Sequence, residues 1–416
     1  MRIVLRTRSV LKFDVLTFGS TTSYIERLSL SMFSDRTNWN LQPNRLSNAL
    51  DRHRAAKKHL LDLTASNPTQ CGFAYDGSSI LGALGNPSAL VYEPEPRGLA
   101  EARRAVAKYY ADRGLPIDTA DIILATSTSE VYSYVLRALC NPGDEILIPQ
   151  PSYPLFELLA QIQDVKLFQY NLVYDHGWQI DFHSLERAIT PRTRAVIVVH
   201  PNNPTGHYVK AAEMAQLNAI CSARALALVA DEVFLDFNIT GDPSASLAAN
   251  DAALTFTMSG ISKICGLPQM KTAWLITSGP RELKTQALAR LEVIADTYLS
   301  MNAPIQAALP TFLGQRHSIQ SQIKERVRHN LDQLDAQLAL HKTCTRLKLE
   351  GGWYAVLRVP ATRSDEDLAI NLLENQGVYV HPGHFFDFES DGYLIVSLIT
   401  PPADFAEGIK RLLSML

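Results

Sequence analysis

Short apolar runs recur between about residues 115 and 280: DIILAT, EILIPQ, VKLFQY, AVIVVH, ALALVA, LTFTMS and TAWLIT. Each reads as a buried strand, and the amphipathic or turn-rich text between them reads as helix and loop. Strands alternating with helices build an α/β domain around a largely parallel sheet covered on both faces. In such sheets ligands sit beyond the carboxyl ends of the strands. From about residue 281 the period lengthens. PRELKTQALARLEVIADTYLSM and HSIQSQIKERVRHNLDQLDAQLALH carry apolar residues at helical spacing. GGWYAVLRV, GVYVHPG and YLIVSLI then read as short strands, before a last helix to Leu416. This tail predicts a smaller α+β domain, completed by the early part of the chain. The expected division is an extension over 1–32, a small domain from 33–80 plus 310–416, and a large domain over 81–309.

The polar residues that interrupt the pattern gather at those strand ends. DIILAT is followed by Ser127, Thr128 and Ser129 at the start of a helix. Hydroxyls and free amides there form a cradle for an anion such as phosphate, and the same residues serve as a plain helix cap. HPNNPTG, holding Asn203, follows AVIVVH and has the composition of a turn. ALALVADEVF ends its run in Asp231 and Glu232. A carboxylate there is costly to bury without a positive partner, for example a protonated ring nitrogen. SGISKICGLPQMK carries Lys263 just past the next run, among small and apolar neighbours.

Composition narrows the partners. At 416 residues, with 46% hydrophobic and 19% charged positions, the chain has room for two globular cores. A net charge of -3 supplies no basic field for nucleic acid or an anionic membrane, so a small molecule is the expected partner. The five cysteines, Cys71, Cys140, Cys221, Cys265 and Cys344, are scattered and show no CxxC spacing. Neither a disulfide framework nor a metal site is expected, and a cytoplasmic setting fits. No apolar run reaches the roughly 18 residues of a membrane-spanning helix. The charge-interrupted start, MRIVLRTRSVLKFD, does not read as a secretory signal. Residues 1–60 lack a helix-turn-helix pattern for a DNA-binding regulator, and no GxGxxG follows a strand as a nicotinamide enzyme would require.

Taken in order, the hydroxyl cradle, the aromatic of PSYPLF, Asn-Pro-Thr-Gly, the strand-terminal Asp and Ser-x-x-Ser-Lys resemble the class I/II aminotransferases of fold type I, the aspartate aminotransferase superfamily. The resemblance runs from LDLTASNPT at residue 61 to the C-terminus. It implies a large, mostly parallel seven-stranded sheet domain with a smaller α+β domain, and pyridoxal 5'-phosphate as cofactor. It implies that Lys263 forms the covalent link to the cofactor and shuttles the proton. Asp231 would hold the pyridine nitrogen protonated, Asn203 would bond the phenolic oxygen, and Tyr153 would stack on the ring. Ser127, Thr128, Ser259, Ser262 and Lys271 would hold the phosphate, with Tyr92 reaching it from the partner subunit of a homodimer. The implied reaction moves an amino group from an amine or amino acid to a keto acid or aldehyde. A lyase, decarboxylase or racemase on the same scaffold is the alternative.

Four positions depart from the family pattern. Phe234 replaces a tyrosine that donates to the phenolic oxygen, and Lys271 replaces an arginine that grips phosphate as a fork. Gly260 stands where the first serine of the lysine motif is usual, with Ser259 one residue early. In DGYLIVSLITPP the arginine that binds the substrate's α-carboxylate is expected at Ile395. The preferred donor therefore either lacks that carboxylate or carries it to another cation, with Arg97, His381 and His384 as candidates.

Overall fold

The structure, a computed structural model, describes residues 32–241, 245–299 and 301–416. The extension expected over 1–32 lies outside the described residues except for Met32.

All seven apolar runs form strands of one sheet. After β1 (Leu61–Asp62) come β2 (Ile122–Ala125), β3 (Glu145–Gln150), β4 (Lys166–Tyr174), β5 (Trp178–Ile180), β6 (Thr193–Val199), β7 (Ala227–Asp231), β8 (Thr255–Gly260) and β9 (Ala273–Ser278). The sheet order is β2-β9-β8-β7-β6-β3-β4-β5. Neighbours from β8 through β4 are parallel, whereas β9 is antiparallel to both β8 and β2. The expected seven-stranded sheet therefore has an eighth member. It is β5, which pairs antiparallel with the outer half of β4 as Tyr174 meets Trp178. Three residues alternating buried, exposed and buried are too short to register as a periodic signal. β4 itself alternates along its first half, because it lies toward the sheet edge and only one face is covered.

The expected long helices appear as Arg281–Thr297 and Arg316–Leu338, with a further helix, Ala303–Gly314, between them. Beyond them lie β10 (Thr345–Arg346), β11 (Tyr354–Arg358), β12 (Val378–Tyr379), β13 (His381–Pro382) and β14 (Tyr393–Ser397). Four of these form an antiparallel sheet in the order β10-β11-β14-β13. β1 pairs in parallel with β12, so the early chain joins the C-terminal part through backbone hydrogen bonds. One apolar core runs from the small sheet, through Trp353, Val356 and Ile395, to Phe234 and Val198 of the large one. That continuity fixes the small sheet against the strand ends. No helix among the described residues is long and apolar enough to cross a membrane.

Candidate active site

Six strands, β2, β3, β4, β6, β7 and β8, run in one direction, and all but the edge strand β4 contribute to a common rim. Of the residues expected to hold the cofactor, all but Tyr92 lie at or next to these strand ends. Lys271 precedes β9, which runs the opposite way and so begins at the same rim.

Asp231 is the last residue of β7 and is 9% exposed. Its carboxylate accepts from the Tyr132 hydroxyl at 3.1 Å and the Val233 N–H at 3.1 Å. No cation lies within ion-pair distance among the described residues. Burial pushes the carboxyl up to about 6, while the two hydrogen bonds and the charge of Lys263 pull it down.

Lys263 lies in the short helix Ile261–Ile264 just past β8. Its Nζ faces aromatic rings, at 4.9 Å from the Trp353 centroid and 5.4 Å from that of Phe234. Withdrawal of the ammonium from water lowers its pKa to about 8, with Asp231 and Cys71 opposing the shift. The approach of β9 explains the glycine before it. A Cβ on Gly260 would stand 2.7 Å from the Thr272 carbonyl oxygen. A serine at that position has no room. Phe234 is buried edge-on to Trp353 with centroids 4.8 Å apart.

Asn203 is buried, and its Oδ1 has no hydrogen-bond partner. Its loop is held by Asn202, which takes the Thr205 hydroxyl at 2.9 Å and the Gly206 N–H at 2.7 Å. Burial raises the Tyr153 hydroxyl well above its usual range, and the ring packs against the cores on both sides of the sheet.

At the end of β2, Ser127 caps the helix Thr128–Leu139 by accepting from Glu130 N–H at 3.2 Å. Glu130 reaches back to the Thr126 N–H at 2.6 Å and hydroxyl at 2.8 Å. The cap and the cradle are thus one piece of structure: the hydroxyls that start the helix also sit at its amide-rich end. Lys271 is exposed, with a left-handed φ of +49°, and has no ion-pair partner among the described residues. Ser262 is half-buried beside Lys263. Ser259, expected at the phosphate, lies within β8. It is buried, and its hydroxyl donates to the Glu232 carbonyl at 3.2 Å, a tie between strands. Tyr92 is 76% exposed on its loop.

The candidates for a replacement cation are committed or neutral. Arg97 is paired with Glu292 at 2.6 Å and donates to the Ala120 carbonyl at 2.7 Å. Burial lowers His381 to about 4 and also lowers His384, so both imidazoles are neutral near pH 7. Ile395 is fully buried in β14, opposite Val356 and His381. Its neighbour two along, Ser397, donates to the Ala65 carbonyl at 2.5 Å.

Sequence reasoning missed Tyr132, which holds Asp231, and Trp353, which faces Lys263. Neither lies in a motif. The one available signal was Trp353 at the start of a predicted strand, and its partner is ninety residues away.

A buried acid with no counter-ion, a depressed amine, an orphaned amide oxygen and an amide-rich helix start beside a lysine with no ion-pair partner among the described residues share one rim. This set fits pyridoxal 5'-phosphate, which brings a ring cation, an aldehyde, a phenolic oxygen and a phosphate.

The chain matches the family "Aminotransferase class I and II" over residues 86–412. It is 30% identical over 376 residues to an alanine aminotransferase of Mycobacterium bovis, covering 87% of this chain and 86% of that one. It is 28% identical over 349 residues to the glutamate-pyruvate aminotransferase AlaA of Haemophilus influenzae, covering 82% of this chain and 86% of the relative. Among solved structures, an aspartate aminotransferase variant of Thermus thermophilus superposes with a TM-score of 0.80 at 22% identity, over 93% of this chain and all of that one.

Proposed function

The chain belongs to the class I and II aminotransferases, enzymes that use pyridoxal 5'-phosphate, and from that premise we propose how its residues carry out amino transfer. Amino transfer, rather than lyase, decarboxylase or racemase chemistry, is what the family and both relatives name. We infer that the donor is an α-amino acid, with alanine and glutamate as the first to test because the relatives are named for them.

When bound, the cofactor supplies an electron sink for the bond broken at the donor's α-carbon. The protein's part is to hold and move protons around it. Lys263 would hold the cofactor through its aldehyde carbon, and its Nζ would carry a proton to and from the donor's α-carbon. An amine with a pKa near 8 is well suited, being substantially neutral at mildly alkaline pH. Asp231, already costly to bury alone, supplies the anion for the protonated ring nitrogen, and Tyr132 fixes the carboxylate's orientation. Asn203 turns its amide to the phenolic oxygen, and Tyr153 and Phe234 wall the ring. Ser127, Thr128, Ser262 and Lys271 take the phosphate. Tyr92, exposed in the single chain, completes the phosphate site of a second copy in a homodimer.

The observation that carries this reading is the opposition of Lys263 and Asp231 at one rim, each displaced by burial from its ordinary pKa and neither with a hydrogen-bonded counter-ion. The test is a half-reaction. L-alanine or L-glutamate alone should bleach the holoenzyme's visible absorbance, and a 2-oxo acid should restore it. Return of the starting spectrum without an acceptor would instead mark a lyase or racemase. Mixing Lys263→Ala chains with Tyr92→Phe chains should restore one competent site per mixed dimer. No activity above both parents would sink the shared site.

A further inference from the structure

An α-amino acid donor brings a carboxylate, and the rim offers it no cation at position 395 and none in Arg97, His381 or His384. The helix Arg316–Leu338 does offer one. It runs behind the Lys263 turn: Ile319 Cγ1 lies 3.0 Å from where a Cβ on Gly266 would stand. Arg326 follows seven residues later on the same face, roughly 10 Å along the axis.

Arg326 is half-buried, and its Nη1 donates to the carbonyls of Cys71 at 3.1 Å, Ile399 at 3.3 Å and Thr400 at 3.5 Å. Its guanidinium carbon stands 4.9 Å over the Phe73 ring. Those carbonyls belong to the two loops that meet where Ser397 bonds Ala65. Cys71 is close enough to both Arg326 and Lys263 for its thiol to respond to each charge. Among the described residues no carboxylate pairs with Arg326, and Nη2 and Nε have no hydrogen-bond partner. Arg326 is only half-buried, and neither Nε nor Nη2 is among the buried atoms left without a partner, so the free edge is open to solvent and to a ligand. The unused edge has the planar, two-pronged form that matches a carboxylate.

We propose that Arg326 is the specificity-determining residue for the donor's carboxylate: anchored to two loops through Nη1, it presents Nε and Nη2 to an α-amino acid in place of an arginine on β14. The assignment rests on the aminotransferase reading above. It admits carboxylate-bearing donors and disfavours simple amines.

The test uses the full-length holoenzyme as wild type, Arg326→Gln and Arg326→Lys. Two donors differ only in the carboxylate, L-alanine and ethylamine, and propionate serves as an unreactive probe. In Arg326→Gln the alanine-to-ethylamine ratio of half-reaction efficiencies should fall by about 30-fold or more, the low end for losing one member of a buried charge pair. The loss should lie in the apparent donor affinity and not in the limiting rate. Arg326→Lys should recover part of it, having the charge without the fork. The dissociation constant for propionate, read by calorimetry or the cofactor's absorbance, should rise in the same order. A ratio and a propionate affinity in Arg326→Gln within about threefold of wild type would overturn the proposal. Should that variant not fold, the same invariance in Arg326→Lys would overturn it. If the wild type bleaches with no donor at all, the aminotransferase reading falls, and propionate binding still decides the fate of Arg326.

Discussion

On the rim of the large sheet, Asp231, Asn203 and Lys263 each lie within four residues of a strand end and are poorly satisfied. On the side facing them, Trp353, Ile395 and Ser397 are fully buried in a sheet whose strands pair without interruption. The first region holds groups at a cost: an acid raised to about 6 and an amine lowered to about 8. The second contributes apolar walls and a tight loop contact, with one cation, Arg326, left over at its edge. The rim is organised for a ligand it does not itself contain, and the small sheet is organised as a core. On the proposed reading, chemistry is concentrated on one side and selection on the other.

The sharpest way to break this contrast is Lys263→Ala. Turnover should fall by roughly four orders of magnitude or more, since both the covalent link and the proton carrier are gone. Circular dichroism should be unchanged, because the lysine makes no hydrogen bond that holds the fold. Near-normal turnover with saturating cofactor would move the chemistry elsewhere.

Ile395→Arg tests the other side. Position 395 is fully buried between Val356 and His381, so a guanidinium there should destabilise the protein by about 3–5 kcal/mol. Urea unfolding measures it. An arginine variant as stable as wild type, and faster with alanine, would show that the position opens to substrate and would displace Arg326 from its role.

The same contrast explains what the sequence made legible. Strands buried on both faces leave unmistakable apolar runs, so seven of the eight strands and the rim they form could be read directly. Residues at strand ends inherit that legibility, because Asp231 and Lys263 are placed by the run that precedes them. β5 escaped because three residues carry no period. The facing wall escaped for a different reason. Ala65 with Ser397, Trp353 with Lys263 and Cys71 with Arg326 are joined by tertiary packing between residues far apart in sequence, which no local pattern encodes. Motif spacing places Ser259 near the lysine but does not reveal that its hydroxyl donates to the Glu232 carbonyl.

Asp231→Asn sharpens the cost paid on the rim. The folded carboxyl, at about 6, holds its proton more tightly than in the unfolded chain, so the wild-type apoprotein loses stability as pH rises from about 4 through 6 and stays penalised above that. An asparagine keeps an acceptor for the Val233 N–H, can donate its amide N–H to the Tyr132 hydroxyl oxygen, and carries no charge. The variant apoprotein should therefore be more stable at pH 8 by about 1–3 kcal/mol, with the gain fading below pH 6. The variant holoenzyme should lose about two orders of magnitude in turnover, as the ring cation would have no partner. A variant less stable at pH 8, or as active as wild type, would mean that Asp231 is a structural residue.

Phe234→Tyr has the smallest expected effect and separates the two sides most finely, because this ring touches both, with Trp353 at 4.8 Å and Lys263 Nζ at 5.4 Å. An anionic phenolic oxygen on the bound cofactor would help the Lys263 nitrogen retain a proton. A tyrosine hydroxyl would donate to that oxygen, draw the charge away and release the proton at lower pH. With phenylalanine, Asn203 remains the side-chain donor, so the wild type should hold its proton to higher pH. The difference should be about one unit, or roughly 1.4 kcal/mol, in line with one hydrogen bond to a charged group. Titrating the visible absorbance of both holoenzymes measures it. If the midpoint in the tyrosine variant is equal or higher, Phe234 faces only the Trp353 wall, and it belongs with the core and not with the chemistry.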